Sequence, residues 1–331
     1  MAKRTNRKAK PTPPPQTLAT AEIALLIYPD CQLSAVYGLT DVFRIASESG
    51  GAPPVRVSHW RPTDAGMECV WDSHGGAHRI THVIVPPSLV VPREMATSPV
   101  TAAWLTVLHG AGVTLCSVCA GAFVLAETGL IDGRTATTHW AFAADLGAKF
   151  PKVKLAAEHV VLDDGDIITA GGILAWADLG LTLVERLLGP AAMLSTARFL
   201  VIEPPRASQL QFAQFVPRFD HGDEAILRIQ HHLHAHAASQ IRISELHAVA
   251  RMTERTFLRR FKAATGHGPN DYLQHVRIAK AREALERTAT PVERIAWNVG
   301  YADTSAFRKT FLKLTSLTPA QYRAKFRLRE M

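Results

Sequence analysis

The stretch FLRRFKAATGHGPNDY at residues 257–272 is matched by FRKTFLKLTSLTPAQY at residues 307–322. The two copies share Phe, Phe, Thr, Pro and Tyr at one constant offset of 50 residues. A repeat of this length predicts that one supersecondary unit occurs twice. A short apolar helical stretch and a turn precede each copy, so each copy is interpreted as part of a helix-turn-helix unit.

The first unit is predicted to begin with Ser244 as the N-cap of its positioning helix. Thr253 then caps a recognition helix over residues 254–264, which ends at Gly266. The paired phenylalanines of each copy are four residues apart, so they face one side of the helix and form its core. We expect a long helix over residues 269–285 to connect this unit to the second one.

The charge of the chain differs between its regions. Residues 223–331 carry 19 Lys and Arg against 10 Asp and Glu, whereas residues 21–222 carry 13 against 19. Residues 1–20 add five basic side chains. A basic surface attracts phosphate and releases counterions when it binds a polyanion. Together with the two helix-turn-helix units, this distribution predicts double-stranded DNA as the partner.

Side chains on the outer faces of the recognition helices are the candidates for DNA contact. Arg255 and Arg259 lie four residues apart and project together, as side chains that reach into a groove must. Arg259 and Arg308 are expected to read bases, and Lys262 is expected to contact only phosphate. The candidates from helix position are Arg255, Thr256, Arg259, Lys262, Thr304, Ser305, Arg308 and Lys309.

The region from about residue 20 to residue 190 alternates strand patterns with helix patterns. Apolar runs at residues 23–28, 82–85 and 113–117 have strand length, and residues 33–46 have helical apolar spacing. This alternation predicts a flavodoxin-like α/β domain with a mostly parallel sheet. The expected organisation is a disordered basic tail over 1–20, the α/β domain over 21–205, a linker over 206–222, and an all-α domain with two helix-turn-helix units over 223–331.

The sequence SVCAGA at residues 117–122 is the sharpest local feature of the α/β region. A strand runs directly into a helix, with Cys119 at the turn and small residues after it, which is typical of a nucleophile elbow. The helix N-terminus is expected to favour the thiolate, and His139 follows 20 residues later as a candidate base. The alternative is a buried cysteine and a core histidine without a chemical role.

The remaining composition favours a cytoplasmic protein without a metal or cofactor. The four cysteines lack paired zinc-ligand spacing, and the first residues show no apolar secretory segment. Four histidines between residues 231 and 236 do not share one helical face, so a solvated face is favoured over a metal site. No apolar run is long enough for a membrane span, so no membrane partner is expected.

The segment CAGAFVLAETGLIDGRTATTHW at residues 119–140 resembles the elbow-to-histidine stretch of PfpI/ThiJ-type, class I glutamine-amidotransferase-like domains. In the enzymes of that group the elbow cysteine works with a histidine and an acidic residue from the first helix. Cys119 and His139 match two of these positions, whereas Ala35 occupies the acidic one. The resemblance therefore implies a retained effector pocket, with Cys119, Ala120 and His139 as candidate lining residues, in place of hydrolase activity.

Residues 255–323 resemble the AraC/XylS-type DNA-binding domain, and the combination with a PfpI/ThiJ-like domain resembles the GlxA/FtrA-type subgroup of that family. The family implies two recognition helices that read successive major grooves, and by position it adds Leu258 to Arg255 and Arg259 as base-contact positions. It also implies a small effector, often a nitrogen compound such as an amino acid or a quaternary amine. Its further implications are a homodimer formed through the N-terminal domain, and RNA polymerase as a partner if the protein is an activator.

The sequence therefore predicts a sequence-specific DNA-binding transcriptional regulator that is controlled by an effector and is not an enzyme. Two alternatives stay open. One is a cysteine-dependent amidase or peptidase of the PfpI type, which fits Cys119 and His139 but does not explain the basic repeat region. The other is a redox sensor that uses Cys119 as its switch, which needs an exposed thiol with a low pKa.

Overall fold

The computed structural model describes residues 21–48, 54–96 and 98–328. The chain divides into two compact units, with the division between Ala207 and Ser208. The tail predicted over residues 1–20 lies outside the described residues. In the described part of the chain, no helix combines the length and the apolar character that crossing a bilayer requires.

The N-terminal unit is built on a seven-stranded sheet. Its strands are β1 (Ala21–Leu26), β2 (Val55–Thr63), β3 (Gly66–Asp72), β4 (His82–Val85), β5 (Thr114–Val118), β8 (Val161–Asp163) and β9 (Ile167–Ala170), while β6 (Thr135–Ala136) and β7 (Lys154–Leu155) form a separate ribbon. The order from edge to edge is β3-β2-β1-β4-β5-β9-β8. The five central strands are parallel, and an antiparallel strand lies at each edge.

The order of the five parallel strands confirms the predicted flavodoxin-like fold. Counted among themselves, they run second, first, third, fourth, fifth across the sheet. The direction of winding reverses between β1 and β4, so a topological switch point lies there. Ligands of open α/β sheets bind at the carboxyl ends of the strands beside such a point.

Helices cover both faces of this sheet. They are α1 (Leu33–Glu48), α2 (Pro99–Gly110), α3 (Gly121–Ala126), α4 (Ala143–Lys149), α5 (Trp176–Leu188) and α6 (Pro190–Leu200). Helices α1, α5 and α6 pack together, and α2 packs with α3. Right-handed crossovers on the two sides of a switch point place their helices on opposite faces. Strands β1, β4, β5 and β9 are therefore buried along their whole length.

The C-terminal unit is all-helical and has two small cores. Its helices are α7 (Glu224–Ala235), α8 (Leu246–Val249), α9 (Glu254–Thr265), α10 (Pro269–Arg287), α11 (Val292–Asn298), α12 (Thr304–Thr315) and α13 (Pro319–Phe326). The predicted connecting helix is confirmed as α10, which belongs to both cores. It contributes Tyr272, Leu273 and Val276 to the first core and Ile278, Ala281 and Leu285 to the second.

The residues that define the sequence repeat have the same structural roles in both copies. The two phenylalanines of each copy are buried, and the second ring meets the tyrosine ring at 5.4 Å in both. Thr265 and Thr315 each donate from Oγ1 to the carbonyl oxygen of the second phenylalanine, at 2.7 and 2.8 Å. The proline of each copy begins α10 or α13, where a missing N–H costs nothing.

The first positioning helix is shorter than the sequence predicts. Residues 243–245 form a 3-10 turn with Arg242 as N-cap, and α8 has only four residues, so the prediction of Ser244 as helix cap is wrong. His247 stands three residues after Ser244, where a glutamate or glutamine would complete a capping box, so the box cannot form. Thr253 as cap of α9 and Gly266 as its end are confirmed.

The segment predicted as a linker packs on the C-terminal unit from residue 208 onward. Phe215 joins the first core and meets the ring of Tyr272 edge-on at 5.1 Å. Arg282 of α10 donates hydrogen bonds to the backbone carbonyls of Gln211 and Ala213. These contacts make the segment part of the fold of this unit.

Candidate DNA-binding surface and candidate effector site

The recognition helices α9 and α12 have matched ends. Thr253 accepts a hydrogen bond from the third backbone amide of α9, and Asp303 accepts from two backbone amides of α12. The hydrogen bonds from these backbone amides lower the pKa of Asp303, so its carboxylate stays charged at the helix N-terminus. Each helix ends at a left-handed residue, Gly266 or Ser316.

One exposed stripe follows each recognition helix on the side away from the core. It consists of Arg255, Leu258, Arg259 and Lys262 in α9 and of Ser305, Arg308, Lys309 and Leu312 in α12. Positions three and four apart lie on one helical face. The two sets are related by the repeat offset of 50 residues, so both helices expose the same face. The structure thus brings most of the predicted DNA contacts onto two equivalent surfaces.

Two of the predicted DNA contacts, Thr256 and Thr304, are only partly exposed. Both lie in the first turn of their helices and are half-buried. The Thr256 hydroxyl accepts a hydrogen bond from Oγ1 of Thr253 at 3.0 Å. The Thr256 hydroxyl is thus hydrogen-bonded to the N-cap residue of its own helix.

The basic side chains of the stripe differ in the partners that hold them. Within the described residues, Arg255, Arg259 and Lys262 have no carboxylate at ion-pair distance. Arg308 forms an exposed ion pair with Glu293 of α11, with 2.7 Å between nitrogen and oxygen. An exposed pair of this kind is worth less than about 1 kcal/mol, so it leaves Arg308 free to change partner.

The elbow predicted at Cys119 is present. Cys119 has a φ of 55° between the end of β5 and the start of α3. A Cβ atom on Gly121 would lie 2.6 Å from the carbonyl oxygen of Val85 and 2.7 Å from that of Pro86. Glycine therefore allows α3 to start directly beside the end of β4, which confirms the sharp turn.

The Cys119 thiol, however, lies in an environment that suppresses its ionisation. Its side chain is 1% exposed. Burial raises the pKa of the thiol to about 12, and the backbone amide of Ala120 lowers the pKa only in part. The expectation that the helix N-terminus favours the thiolate is wrong, because burial raises the pKa of the thiol by more than the backbone amide at the helix start lowers it.

His139 is not positioned as a base for Cys119. Its Nδ1 accepts a hydrogen bond from the backbone amide of Ala141 at 3.1 Å. The Thr138 hydroxyl donates to the Cys119 carbonyl oxygen at 2.7 Å, and no hydrogen bond between Cys119 and His139 occurs among the described residues. Ala35 is fully buried in the first turn of α1. The described residues therefore show no hydrogen-bonded pair of nucleophile and base at Cys119, and Ala35 supplies no carboxylate.

Unpaired polar atoms lie near the carboxyl ends of the parallel strands. Gln32 Oε1 and Trp176 Nε1 are buried and have no hydrogen-bond partner in the described parts of the chain. Gln32 follows β1, and its backbone N–H donates to the carbonyl oxygen of Pro87, which follows β4, at 2.7 Å. Trp176 begins α5 after β9. Sequence reasoning missed both residues, because neither residue type nor spacing marks an unpaired atom.

Two clusters of three potential metal ligands also occur among the described residues, and sequence reasoning named neither. They are Cys69, Asp72 and His78 in the N-terminal unit, and His267, Asp271 and His275 in the C-terminal unit. The second cluster has a signal in the sequence, because its members are spaced four residues apart, and Asp271 and His275 lie on one side of α10.

Comparison with known families gives one match in each unit. The DJ-1/PfpI family matches residues 77–186, and the helix-turn-helix domain family matches residues 246–325. With the fold and the doubled recognition helices, these matches define the class of the protein. The chain is a DNA-binding transcriptional regulator that joins a DJ-1/PfpI-family domain to an AraC-type helix-turn-helix domain.

Similar proteins include regulators and an enzyme. The HTH-type transcriptional regulator CdhR of Pseudomonas aeruginosa is 28% identical over 230 residues, which cover 69% of this chain and 68% of CdhR. The HTH-type transcriptional regulator GlxA of Rhizobium meliloti is 27% identical over 235 residues, covering 70% of this chain and 72% of GlxA. An isonitrile hydratase of Pseudomonas putida is 38% identical over 109 residues, covering 32% of this chain and 40% of the hydratase.

Proposed function

We propose that the protein regulates transcription by binding an operator through both recognition helices, under the control of a small effector held in its N-terminal unit. The observation that carries the proposal is the exposed stripe that occurs in the same place on α9 and α12. The region that contains it carries 19 basic against 10 acidic side chains. A helix with such a face fits the major groove of DNA.

The stripe combines side chains suited to bases with side chains suited to phosphate. Arg259 and Arg308 can each donate two parallel hydrogen bonds to guanine O6 and N7. Lys262 carries a compact charge that suits a phosphate oxygen. Because α10 belongs to both cores, it holds the two helices at a fixed separation. The helices α9 and α12 would then enter major-groove segments that lie one turn of DNA, ~10 bp, apart.

The other predicted contacts extend the same surface. Leu258 is 42% exposed and offers an apolar contact for a thymine methyl group. Arg255 and Lys309 add charge beside it, and Ser305 adds a hydroxyl. The half-buried threonines of the two helix starts, Thr256 and Thr304, lie at the edge of this surface.

The effector is proposed to bind at the carboxyl edge of the sheet beside the elbow. Gln32 Oε1 needs a donor and Trp176 Nε1 needs an acceptor, so the ligand is a small polar molecule that offers both. An amino acid does so through its ammonium and carboxylate groups. Cys119 and Ala120 would form a buried wall of the site and His139 its half-buried rim. Leaving a buried polar atom unpaired costs about 1–3 kcal/mol, which supports a ligand there.

We propose that the N-terminal unit binds its ligand without turning it over. The similarity to the isonitrile hydratase covers the DJ-1/PfpI domain only, whereas the matches to the two regulators cover about two thirds of this chain. The buried Cys119 thiol, with a pKa of about 12, is unsuited to nucleophilic attack. The same burial argues against a redox switch at this residue.

A homodimer formed through the N-terminal unit is proposed as the active form, acting in the cytoplasm with its DNA. Leu194, Phe199 and Val201, on and just after α6, are exposed apolar side chains that a second copy would cover. RNA polymerase is the further partner if the protein is an activator.

The DNA proposal is tested by selecting bound sequences from a random pool with the full-length protein. The variant Arg259→Ala/Arg308→Ala should retain binding at low salt but lose sequence preference. Arg287→Ala is the matched control, because Arg287 is an exposed basic residue of α10 outside the stripe. No enriched sequence for the parent protein, or unchanged selection by the double variant, would contradict the proposal.

The effector site is tested with Gln32→Met, which keeps the side-chain length and removes the unpaired oxygen. A thermal-shift screen of amino acids and quaternary amines first identifies a ligand of the parent protein. The variant should lose the shift caused by that ligand, keep operator selection, and melt at a higher temperature without ligand. An undiminished ligand response would place the site elsewhere.

A further inference from the structure

Three side chains with metal-ligating atoms converge at the start of α10. His267 lies in the turn before the helix, and its Nδ1 is 2.9 Å from Oδ2 of Asp271. His275 Nε2 is 3.8 Å from the same oxygen. The three donor atoms all lie within 4.8 Å of one another. They come from one short segment of chain, so no distant element has to move to bring them together.

The other three-residue cluster is already used by the protein's own charges. Asp72 pairs with Arg56 at 3.2 Å, and His78 pairs with Glu22 at 2.6 Å. A guanidinium beside the carboxylate opposes the binding of a second cation. In the α10 cluster, by contrast, Asp271 has only its two histidines as ion-pair partners among the described residues.

We propose that His267, Asp271 and His275 bind a divalent transition-metal ion, with Zn²⁺ as the best-matched ion. Zinc accepts imidazole nitrogen and carboxylate oxygen as ligands, at roughly 2.0–2.2 Å. A tetrahedral ion with such bonds separates its ligand atoms by about 3.3 Å, which falls between the two measured separations. Three protein ligands leave the fourth position for water.

The surroundings hold the two imidazoles in place. Phe215 stacks on His275 with ring centroids 5.0 Å apart and meets His267 at 5.8 Å. The two imidazole rings lie beside each other, with 4.7 Å between their centroids. Lys313 is near enough to interact electrostatically with His275. Its charge repels a bound cation and so limits the affinity of the site.

The second helix-turn-helix unit shows what the metal ion would add to the first. There Thr318 and Gln321 form a capping box that fastens the start of α13. The equivalent positions of the first unit are Gly268 and Asp271, and Gly268 makes no side-chain cap on α10. An ion bound by His267 and by α10 would fasten this helix start instead. It would also stabilise the turn that ends the recognition helix α9.

The test uses untagged full-length protein from which metal has been stripped with a chelator. Calorimetric titration with Zn²⁺ should show one ion per chain bound at this site, with a raised melting temperature. Titration with Co²⁺ should produce the visible absorption band of a four-coordinate Co²⁺ ion. His267→Asn and His275→Asn should each weaken Zn²⁺ binding at least tenfold and remove the Co²⁺ band. Asp271→Asn, which keeps the side-chain shape, should also weaken binding tenfold or more.

Matched controls separate this site from other ligands. His232→Asn/His236→Asn removes another histidine pair, whose ring centroids lie 4.5 Å apart, against 4.7 Å for His267 and His275, and should leave the affinity unchanged. Cys69→Ser should do the same, and Lys313→Met should tighten binding. The proposal is overturned if the parent protein binds no Zn²⁺. It is equally overturned if Asp271→Asn is folded, as judged by circular dichroism, and binds Zn²⁺ as tightly as the parent. The same holds if the histidine control variant or Cys69→Ser weakens Zn²⁺ binding as much as the three ligand variants do.

Discussion

At the scale of single residues, the two recognition helices present different chemistry from equivalent positions. Arg259 corresponds to Lys309 across the repeat, and Leu258 corresponds to Arg308. An arginine fork pairs with guanine through two hydrogen bonds, whereas a lysine acts as a point charge. The base-reading arginines of the two helices, Arg259 and Arg308, therefore occupy adjacent and not equivalent positions of the repeat. We expect the two halves of the operator to differ in sequence.

The first prediction concerns these arginines. Arg259→Ala should weaken operator binding by roughly 1–3 kcal/mol and relax base preference in one half of the site only. Arg308→Ala should do so in the other half, with a smaller loss, because Arg308 must give up its ion pair with Glu293 to bind DNA. Lys262→Ala should weaken all sequences about equally. Base-by-base affinity profiles of each variant measure this, and uniform losses for both arginines would show that they contact only the backbone.

The second prediction concerns the thiols. In the folded protein at pH 8, a thiol reagent should modify the half-exposed Cys69 and leave the buried Cys31, Cys116 and Cys119 unmodified until unfolding. The Cys119 thiolate is rare at this pH, because the pKa of the thiol is about 12. Cys119→Ala should leave operator binding intact.

Cys69→Ser is the control for the thiol experiment, since it removes the accessible sulfur. Fast modification that persists in Cys69→Ser and disappears when Cys119→Ala is added would restore the redox-sensor alternative. Amide or peptide hydrolysis that disappears in Cys119→Ala would restore the enzyme alternative.

At the scale of elements, the central strand β4 contains a buried ionisable group. His82 is the first residue of β4 and is 7% exposed. Burial lowers the pKa of its imidazole to about 4, and the charge of Arg186 adds to the effect. In the unfolded chain the pKa returns to about 6.5. Protonation therefore favours unfolding, so the stability that the neutral ring contributes is complete above pH ~6.5 and is lost as the pH falls towards 4.

The third prediction follows from this strand. The free energy of unfolding of the N-terminal unit should fall by about 3 kcal/mol through His82 alone between pH 7 and pH 4. His82→Gln should remove that part of the pH dependence, and His74→Gln, at an exposed histidine, should not. Urea unfolding followed by tryptophan fluorescence measures it, because five of the six tryptophans lie in this unit. Equal pH dependence in both variants would contradict the role of His82.

At the scale of the whole molecule, the C-terminal unit has cores of its own, formed from residues 215–326. The fourth prediction is that a fragment of residues 208–331 folds alone and binds DNA with an affinity that falls steeply with salt. A fragment of residues 223–331 should melt at a lower temperature, because it lacks Phe215 and the carbonyl acceptors of Arg282. Thermal melting and DNA titrations at several salt concentrations test this. A folded 208–331 fragment that does not bind DNA at low salt would refute it.

The fifth prediction concerns assembly of the full-length chain. Phe199→Glu should convert the proposed dimer to a monomer, because it places a charge in the apolar contact. Val107→Glu, at a similarly exposed apolar position of α2, should leave the dimer unchanged. Light scattering after size-exclusion chromatography gives the mass of each variant. A monomeric parent protein would rule the dimer out.

The predictable parts of the fold are those with a strong local pattern. The run at residues 82–85 predicts β4 with its observed bounds, and the repeat predicts both recognition helices. The edge strands β3 and β8 and the ribbon of β6 and β7 were missed. Short or partly exposed strands are specified by their register with neighbours and not by an apolar run.

The sequence by itself determined the class of both domains, the phenylalanine cores of the repeat and the exposed faces opposite them, because helical periodicity assigns faces without knowledge of the rest of the chain. Only the tertiary structure decided that Cys119 is buried and protonated, that His139 bonds elsewhere, and that residues 208–222 belong to the C-terminal unit. Burial and hydrogen-bond partners come from elements that are distant in sequence, so no local pattern records them.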